Sequence, residues 1–227
     1  MILKHLLRPA LLLTAAALTL GASPPLDWNR VVTRTPQQST ILGNPAAKVK
    51  LTTFVSYTCP HCREFELESD AGLKLKYIRS GKVSVEIKHV VRDPIDLTVA
   101  MLTNCGLKDR FPLNHSAFMR SQPVWIQTLA RSSKAQQARW TTGELPTRTR
   151  AIAADFRFYE IMASRGYDRV TVDRCLADGA MAQRLAAGSE AASKLGVDHT
   201  PSFAIDGALL YGTDGWSLLQ PQIEARM

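Results

Sequence analysis

The sequence predicts an α/β fold interrupted by an all-helical insertion. Three observations carry this expectation. An extended apolar stretch, Val49 to Tyr57, runs into the pair Cys59-Pro60-His61-Cys62, and a polar-apolar helical run and a second strand-like stretch, Lys82 to Val91, follow it. From Asp93 to Leu195 every periodic segment reads as helix. Two short strand-like runs then flank the turn pair Asp206-Gly207.

Taken in order, Met1 to Ser23 has Lys4, His5 and Arg8 ahead of an apolar run from Ala10 to Leu20 and then small residues, the pattern of a secretory signal peptide. An uncleaved anchor is the alternative, although the run is short for a membrane span. No lipid-attachment cysteine is expected, since the first cysteine is residue 59. Export puts the mature chain where cysteines pair. From Pro24 to Pro45 the only strand candidate is Asn29 to Thr33, and Gly43-Asn44-Pro45 marks a turn. Val49 to Tyr57 is the central strand. Pro60 suits a first helical position, and the helix is expected to stop by Gly81. Val83, Val85, Ile87 and Val91 give the next strand, and the helical crossover requires parallel pairing.

Asp93-Pro94 caps a helix that ends near Cys105-Gly106. Helices are then expected over Pro112 to Arg120, Pro123 to Thr141, Thr147 to Ser164, Thr171 to Ala177 and Ala180 to Leu195. Trp125, Ile126, Leu129, Phe156, Tyr159, Ile161 and Met162 are assigned to their core. Ser202 to Tyr211 is a hairpin, and Gly215 to Met227 a closing helix restricted by Pro221. The expected divisions are therefore 1–23, 24–92, 93–195 and 196–227.

The chain has 227 residues, is 45% hydrophobic and carries a formal charge of +8, which fits a folded domain rather than a disordered one. Beyond the leader 26 basic residues face 20 acidic ones. Arg148, Arg150, Arg157, Arg165, Arg169 and Arg174 alternate with acidic and apolar residues, so they read as solvated helix faces and no nucleic-acid partner is expected.

The chemistry is expected at Cys59 and Cys62. Cys59 falls at a helix N-terminus, where unpaired N–H groups and the positive end of the helix dipole favour a thiolate. His61 adds a donor or a partial positive charge. A stable thiolate is a good leaving group, so a Cys59–Cys62 disulfide would be readily reduced, hence oxidising. Zinc would need two more ligands, and no second CxxC exists; covalent haem needs histidine after the second cysteine, where Arg63 stands. A structural disulfide this short would close almost no loop.

The run Phe54-Val55-Ser56-Tyr57-Thr58-Cys59-Pro60-His61-Cys62 resembles the active site of the DsbA family of periplasmic thiol:disulfide oxidoreductases. Gly196-Val197-Asp198-His199-Thr200-Pro201-Ser202-Phe203 resembles the loop that lays a cis-proline against the disulfide in thioredoxin-like proteins. The resemblance implies a thioredoxin fold interrupted by an all-helical insertion. It makes Cys59 the attacking and Cys62 the resolving cysteine, with Pro201 the cis-proline and Thr200 before it. No metal or organic cofactor is implied beyond the redox-active disulfide itself. Implied partners are unfolded exported proteins with free cysteines and a membrane partner resembling DsbB or, for a reducing enzyme, a DsbD-like donor. Two departures stand out. Thr53 occupies the position where many relatives carry a buried acid, leaving water, Glu86, Lys88 or no dedicated group to move protons. Thr200 precedes the proline, as in many isomerases and reductases, and its hydroxyl is expected to make the protein less oxidising.

Cys105 and Cys175 remain. Export and the even cysteine count favour a structural disulfide closing a long loop, with two buried free thiols as the alternative. Three functions follow: a disulfide oxidase; an isomerase or reductase kept reduced from the membrane; or a non-catalytic zinc-binding or chaperone module. Such isomerases usually carry an N-terminal dimerisation domain, and about 25 residues between leader and core strand are too few for one.

Overall fold

Val49–Val55, whose side chains are almost all buried, forms the central strand β3 of the sheet. The computed structural model describes residues 26–227, so the expected signal peptide lies outside the described residues. Around β3 stand β1 (Val32–Arg34), β2 (Thr40–Gly43), β4 (Val83–His89), β5 (Ser202–Ile205) and β6 (Ala208–Leu209), in the order β1-β2-β4-β3-β5-β6. The β3–β4 pair is parallel, as its crossover helix demands, and the remaining pairs are antiparallel. Asp206-Gly207 makes the β5–β6 turn, with both residues at positive φ (51° and 84°).

The crossover is α1 (Pro60–Gly72), continued by a π-helical turn over Leu73–Ile78. Between β4 and β5 the chain is helical: α2 (Pro94–Thr103), α3 (Phe111–Trp125), α4 (Gln127–Arg131), α5 (Lys134–Thr141), α6 (Leu145–Asp155), α7 (Phe158–Ser164), α8 (Arg169–Leu176) and α9 (Gly179–Lys194). The closing helix is α10 (Trp216–Glu224), which accommodates Pro221. Residues alternate across the sheet. Leu51 and Val55 join Cys62 and Phe65 in the main core, while Phe54 and Ala204 meet Ala192 and Val197 on the other face.

Several sequence expectations are corrected. Trp28–Arg30 is a 3-10 turn, because Asp27 accepts the Asn29 N–H at 3.1 Å, and the strand begins only at Val32. Thr40–Gly43 is a strand that its length and lone glycine concealed. Pro123 does not start a helix: α3 runs through it, Pro123 lying close enough to the C-terminus that only one late bond is lost. The break falls instead at Ser133, where Ser133 and Gln136 form a capping box. Arg157, at φ 59°, divides Thr147 to Ser164 into two helices without a glycine or proline to announce it. Trp125, Phe156 and Met162 are buried as expected, but Leu129 is exposed on the short α4.

Cys105 and Cys175 are bonded, with α carbons 5.6 Å apart, which ties the end of α2 to α8 across 70 residues. The arginine-rich helices carry their own counter-ions: Arg150 and Arg169 reach Asp173, and Arg157 reaches Glu160.

Candidate active site

Cys59 is the N-cap of α1 and Pro60 its first residue, so the Cys59 sulfur stands at the open end of the helix. Among the described residues Cys59 and Cys62 are free thiols, 3% and 0% exposed. Donation from the Cys62 thiol, aided by the Thr200 hydroxyl and the N–H groups of Cys62 and His61, outweighs burial and brings Cys59 down to about 5. Burial first, and then the Cys59 anion, push Cys62 well up. The two sulfurs therefore differ sharply in acidity. His61 is exposed, and its Nδ1 lies 3.0 Å from Glu64, which raises its basicity.

The loop Gly196 to Pro201 lies over this pair. Gly196 takes φ +101°, and a Cβ there would stand 3.2 Å from the Tyr211 hydroxyl. The Thr200–Pro201 bond is cis. As a thiol, Cys59 donates to the Thr200 carbonyl at 3.1 Å. The Thr200 hydroxyl is buried without a partner of its own, yet it stands beside both sulfurs and lowers both thiols. Phe65 of α1 against Phe203 of β5, ring centroids 4.7 Å apart, holds helix and loop together. A surface groove of about 450 Å³ runs past His61, Glu68, His199, Thr200, Pro201 and Asp214.

The helical insertion completes the loop Ser56 to Cys59. Gln122 of α3 donates to the carbonyls of Tyr57 (2.6 Å) and Cys59 (2.9 Å). Asp96 of α2 accepts from the Ser56 hydroxyl (2.6 Å) and the Tyr57 N–H (2.8 Å). Burial raises Asp96 to about 7 despite these donors. The Ser56 N–H in turn points at the Cys62 sulfur at 3.4 Å.

Glu86 and Lys88, the proton carriers suggested by sequence, are on the wrong face. Glu86 accepts from Ser39 at 2.6 Å, and Lys88 lies over the Phe54 ring, both on the side of the sheet away from Cys62. Behind Cys62 there is instead a small cavity lined by Thr53, Glu66, Ser69 and His115. Glu66 sits one helical turn after Cys62, a spacing visible in sequence. His115 gives no such signal, because only the packing of α3 on α1 brings it there.

The low Cys59 value has two measurable consequences. Alkylation of the reduced protein is expected to keep its neutral-pH rate down to about pH 6 and to halve near 5. An unfolded thiol titrates at about 8.5. The anion's contribution to the stability of the reduced form is therefore complete above that value and is lost as pH falls through about 5. A rate falling already between pH 9 and 7 would contradict both.

A family model described as Thioredoxin matches residues 35–225. The crystal structure of a protein-disulfide isomerase from Novosphingobium aromaticivorans is 56% identical, with a TM-score of 0.80 and coverage of 83% of this chain and 96% of that one. Wolbachia pipientis alpha-DsbA1 shares the fold, with a TM-score of 0.65 at 21% identity over 82% of this chain and 89% of its own. A Rickettsia bellii protein named as a protein-disulfide oxidoreductase is 26% identical over 118 residues, which is 52% of this chain and 46% of the relative. The chain thus spans under half the length of the curated relatives it matches. By the extent of the family match, and with a CxxC helix start facing a cis-proline loop and helices inserted between β4 and β5, the chain belongs to the thioredoxin family.

Proposed function

We propose that this protein is an exported, periplasmic thiol:disulfide oxidoreductase that introduces disulfides into unfolded exported proteins. The observation that carries the reading is the asymmetry of the two sulfurs, Cys59 at about 5 beside a buried Cys62 raised far above it. A substrate thiolate attacks the Cys59 sulfur of the disulfide, forming a mixed disulfide and displacing Cys62 with the bonding electron pair. A second substrate thiolate attacks the substrate sulfur, and Cys59 leaves as a thiolate that the helix end holds at little cost. Substrate gains a disulfide and the protein keeps two electrons and ends as a dithiol. A membrane oxidant of the DsbB type returns it to the disulfide. Pro60 sets the helix start, His61 supplies a donor at its edge, and the Thr200 backbone and Pro201 border the groove in which an extended substrate segment would lie. The helix face bearing the sulfurs needs no cofactor for these steps.

The second reading keeps the site and reverses the flow, with the protein held reduced by a DsbD-like donor and acting as an isomerase. It is favoured by the name of the 56%-identical neighbour and by Thr200 before the proline. A zinc module is the weakest of the three, since Cys105 and Cys175 are bonded to each other and leave Cys59 and Cys62 without further thiolates.

Equilibration with glutathione, read together with the Cys59 alkylation profile, decides the matter. An oxidising potential with a Cys59 value near 5 supports the oxidase, and a strongly reducing potential with an ordinary thiol removes it. Because the Thr200 hydroxyl lowers both thiols and so favours the dithiol, against the direction expected from sequence, Thr200→Val is expected to make the disulfide less oxidising by up to about tenfold in the glutathione equilibrium constant, one hydrogen bond being worth about 1 kcal/mol. No change would dismiss the role given to that hydroxyl.

A further inference from the structure

Each catalytic turn moves a proton at Cys62. When the mixed disulfide closes, the Cys62 thiol must lose its proton to become the attacking thiolate, and when the disulfide opens it leaves as a thiolate. Cys62 has no exposed surface. On its solvent side stands Cys59, whose sulfur in the mixed disulfide is bonded to substrate and has no basic electron pair to offer. The proton needs another way out.

On the inner side Cys62 borders a cavity of about 40 Å³ lined also by Thr53, Glu66, Ser69 and His115. A water needs about 10–15 Å³ and two to four polar partners, and both are present. The Ser69 hydroxyl, on the Cys62 and Glu66 face of α1 and 1% exposed, is unpartnered. A buried hydroxyl normally finds a partner, and a water in this cavity would supply one.

Beyond the cavity a chain of buried contacts stands behind Glu66. Thr103 donates its hydroxyl to the Ala100 carbonyl at 3.0 Å, so it accepts from the Tyr57 hydroxyl at 3.0 Å. Tyr57, its one proton committed, accepts from Nδ1 of His115 at 2.7 Å. Nε2 of His115 lies 3.4 Å from a Glu66 carboxylate oxygen. Burial works against that anion, but His115, with Lys74 and Arg120 behind it, holds the Glu66 carboxyl below its usual value.

We propose that Glu66 and His115 form the proton relay of Cys62, reached through a water that also bonds Ser69. The inference rests on the thiol-exchange reading above. In closing, the Cys62 sulfur forms its bond to Cys59, the substrate sulfur leaves with the old bonding pair, and the thiol proton passes through the water to the Glu66 carboxylate. In opening, the Cys62 thiolate takes a proton back along the same path, from Glu66 backed by His115. The Glu66 side chain, 14% exposed, re-equilibrates with solvent at its edge. Other groups facing the relay are Asp70 on α1, Lys74 on the π-helical turn after it, Arg120 on α3, Tyr57 and Cys59 on the redox loop, His89 on β4 and, behind Ser56, Asp96. Asp70 is paired with Lys74 and Arg120, and burial holds His89 at about 3, so neither takes the role. Glu66 and His115 are positioning residues in this scheme, since they meet the sulfur only through water.

The test follows glutathione release from the full chain carrying glutathione on Cys59, from about pH 5 to about pH 9, in the wild type, Glu66→Gln and Ser69→Ala. General acid–base groups contribute about 10²–10⁴-fold, and a water-mediated one falls at the low end. Glu66→Gln is expected to slow release on the order of 10–100-fold near pH 6 and to converge on the wild type near pH 9, where hydroxide serves directly. Ser69→Ala should show the same pH shape with a smaller loss, and it keeps the proposal testable should Glu66→Gln fail to fold. The ultraviolet titration of Cys59 should change little in either. Equal rates at every pH, or a slowing of constant factor, overturns the relay. A wild type that releases no glutathione overturns the exchange reading itself, a result distinct from release indifferent to Glu66.

Discussion

Cys59→Ser is expected to reduce insulin-disulfide exchange to the uncatalysed background, a loss on the order of 10³-fold or more, the scale on which removal of a nucleophile falls. The argument is local. Only Cys59 has its sulfur at the open end of α1, next to the Thr200 loop, and only it is brought to about 5. Cys62 cannot replace it, being fully buried and pushed well up. The reciprocal variant separates attack from resolution: Cys62→Ser keeps the reactive sulfur and should accumulate mixed disulfide with added thiol, visible by mass. Exchange retained in Cys59→Ser, with no such adduct in Cys62→Ser, would abandon the nucleophile assignment.

Removing the other bond tests stability rather than chemistry. The double variant Cys105→Ala, Cys175→Ala frees a loop spanning a sequence separation of 70, which in the chain-entropy description amounts to about 4 kcal/mol. For a chain of this size each kcal/mol shifts Tm by roughly 2–4 °C, so a fall on the order of 10 °C is expected in thermal melts. The staple joins the end of α2 to α8, and α2 carries Asp96 to the redox loop. Activity per folded molecule at low temperature should nonetheless stay close to wild type, because neither cysteine approaches the Cys59 sulfur. A Tm lowered by less than about 3 °C would show that packing alone sets the geometry of the insertion.

The parts of this structure written in neighbouring residues could be read from sequence. The Cys59-Pro60 helix start, the parallel strands on either side of α1, the Asp206-Gly207 turn and the Thr200-Pro201 loop each depend on a short stretch whose local preference agrees with the fold. What escaped depends on distance or on unmarked backbone. Arg157 takes a left-handed conformation with no glycine to signal it, and Pro123 sits inside a helix that packing sustains. Glu86 and Lys88, named as proton carriers because Thr53 replaces the buried acid, are sent to the far face by strand alternation. His115 could not be found at all, because its meeting with Glu66 exists only once α3 lies on α1.

The double donation of Gln122 to Tyr57 and Cys59, with Asp96 beneath the same turn, makes the insertion a co-author of the redox centre. Excising it to leave a minimal sheet would strand two carbonyls and an amide at the reactive sulfur. Sequence drift far from the CxxC, on α2 or α3, can therefore retune electron affinity while leaving the signature untouched, so relatives with identical cysteine motifs are free to occupy different redox niches.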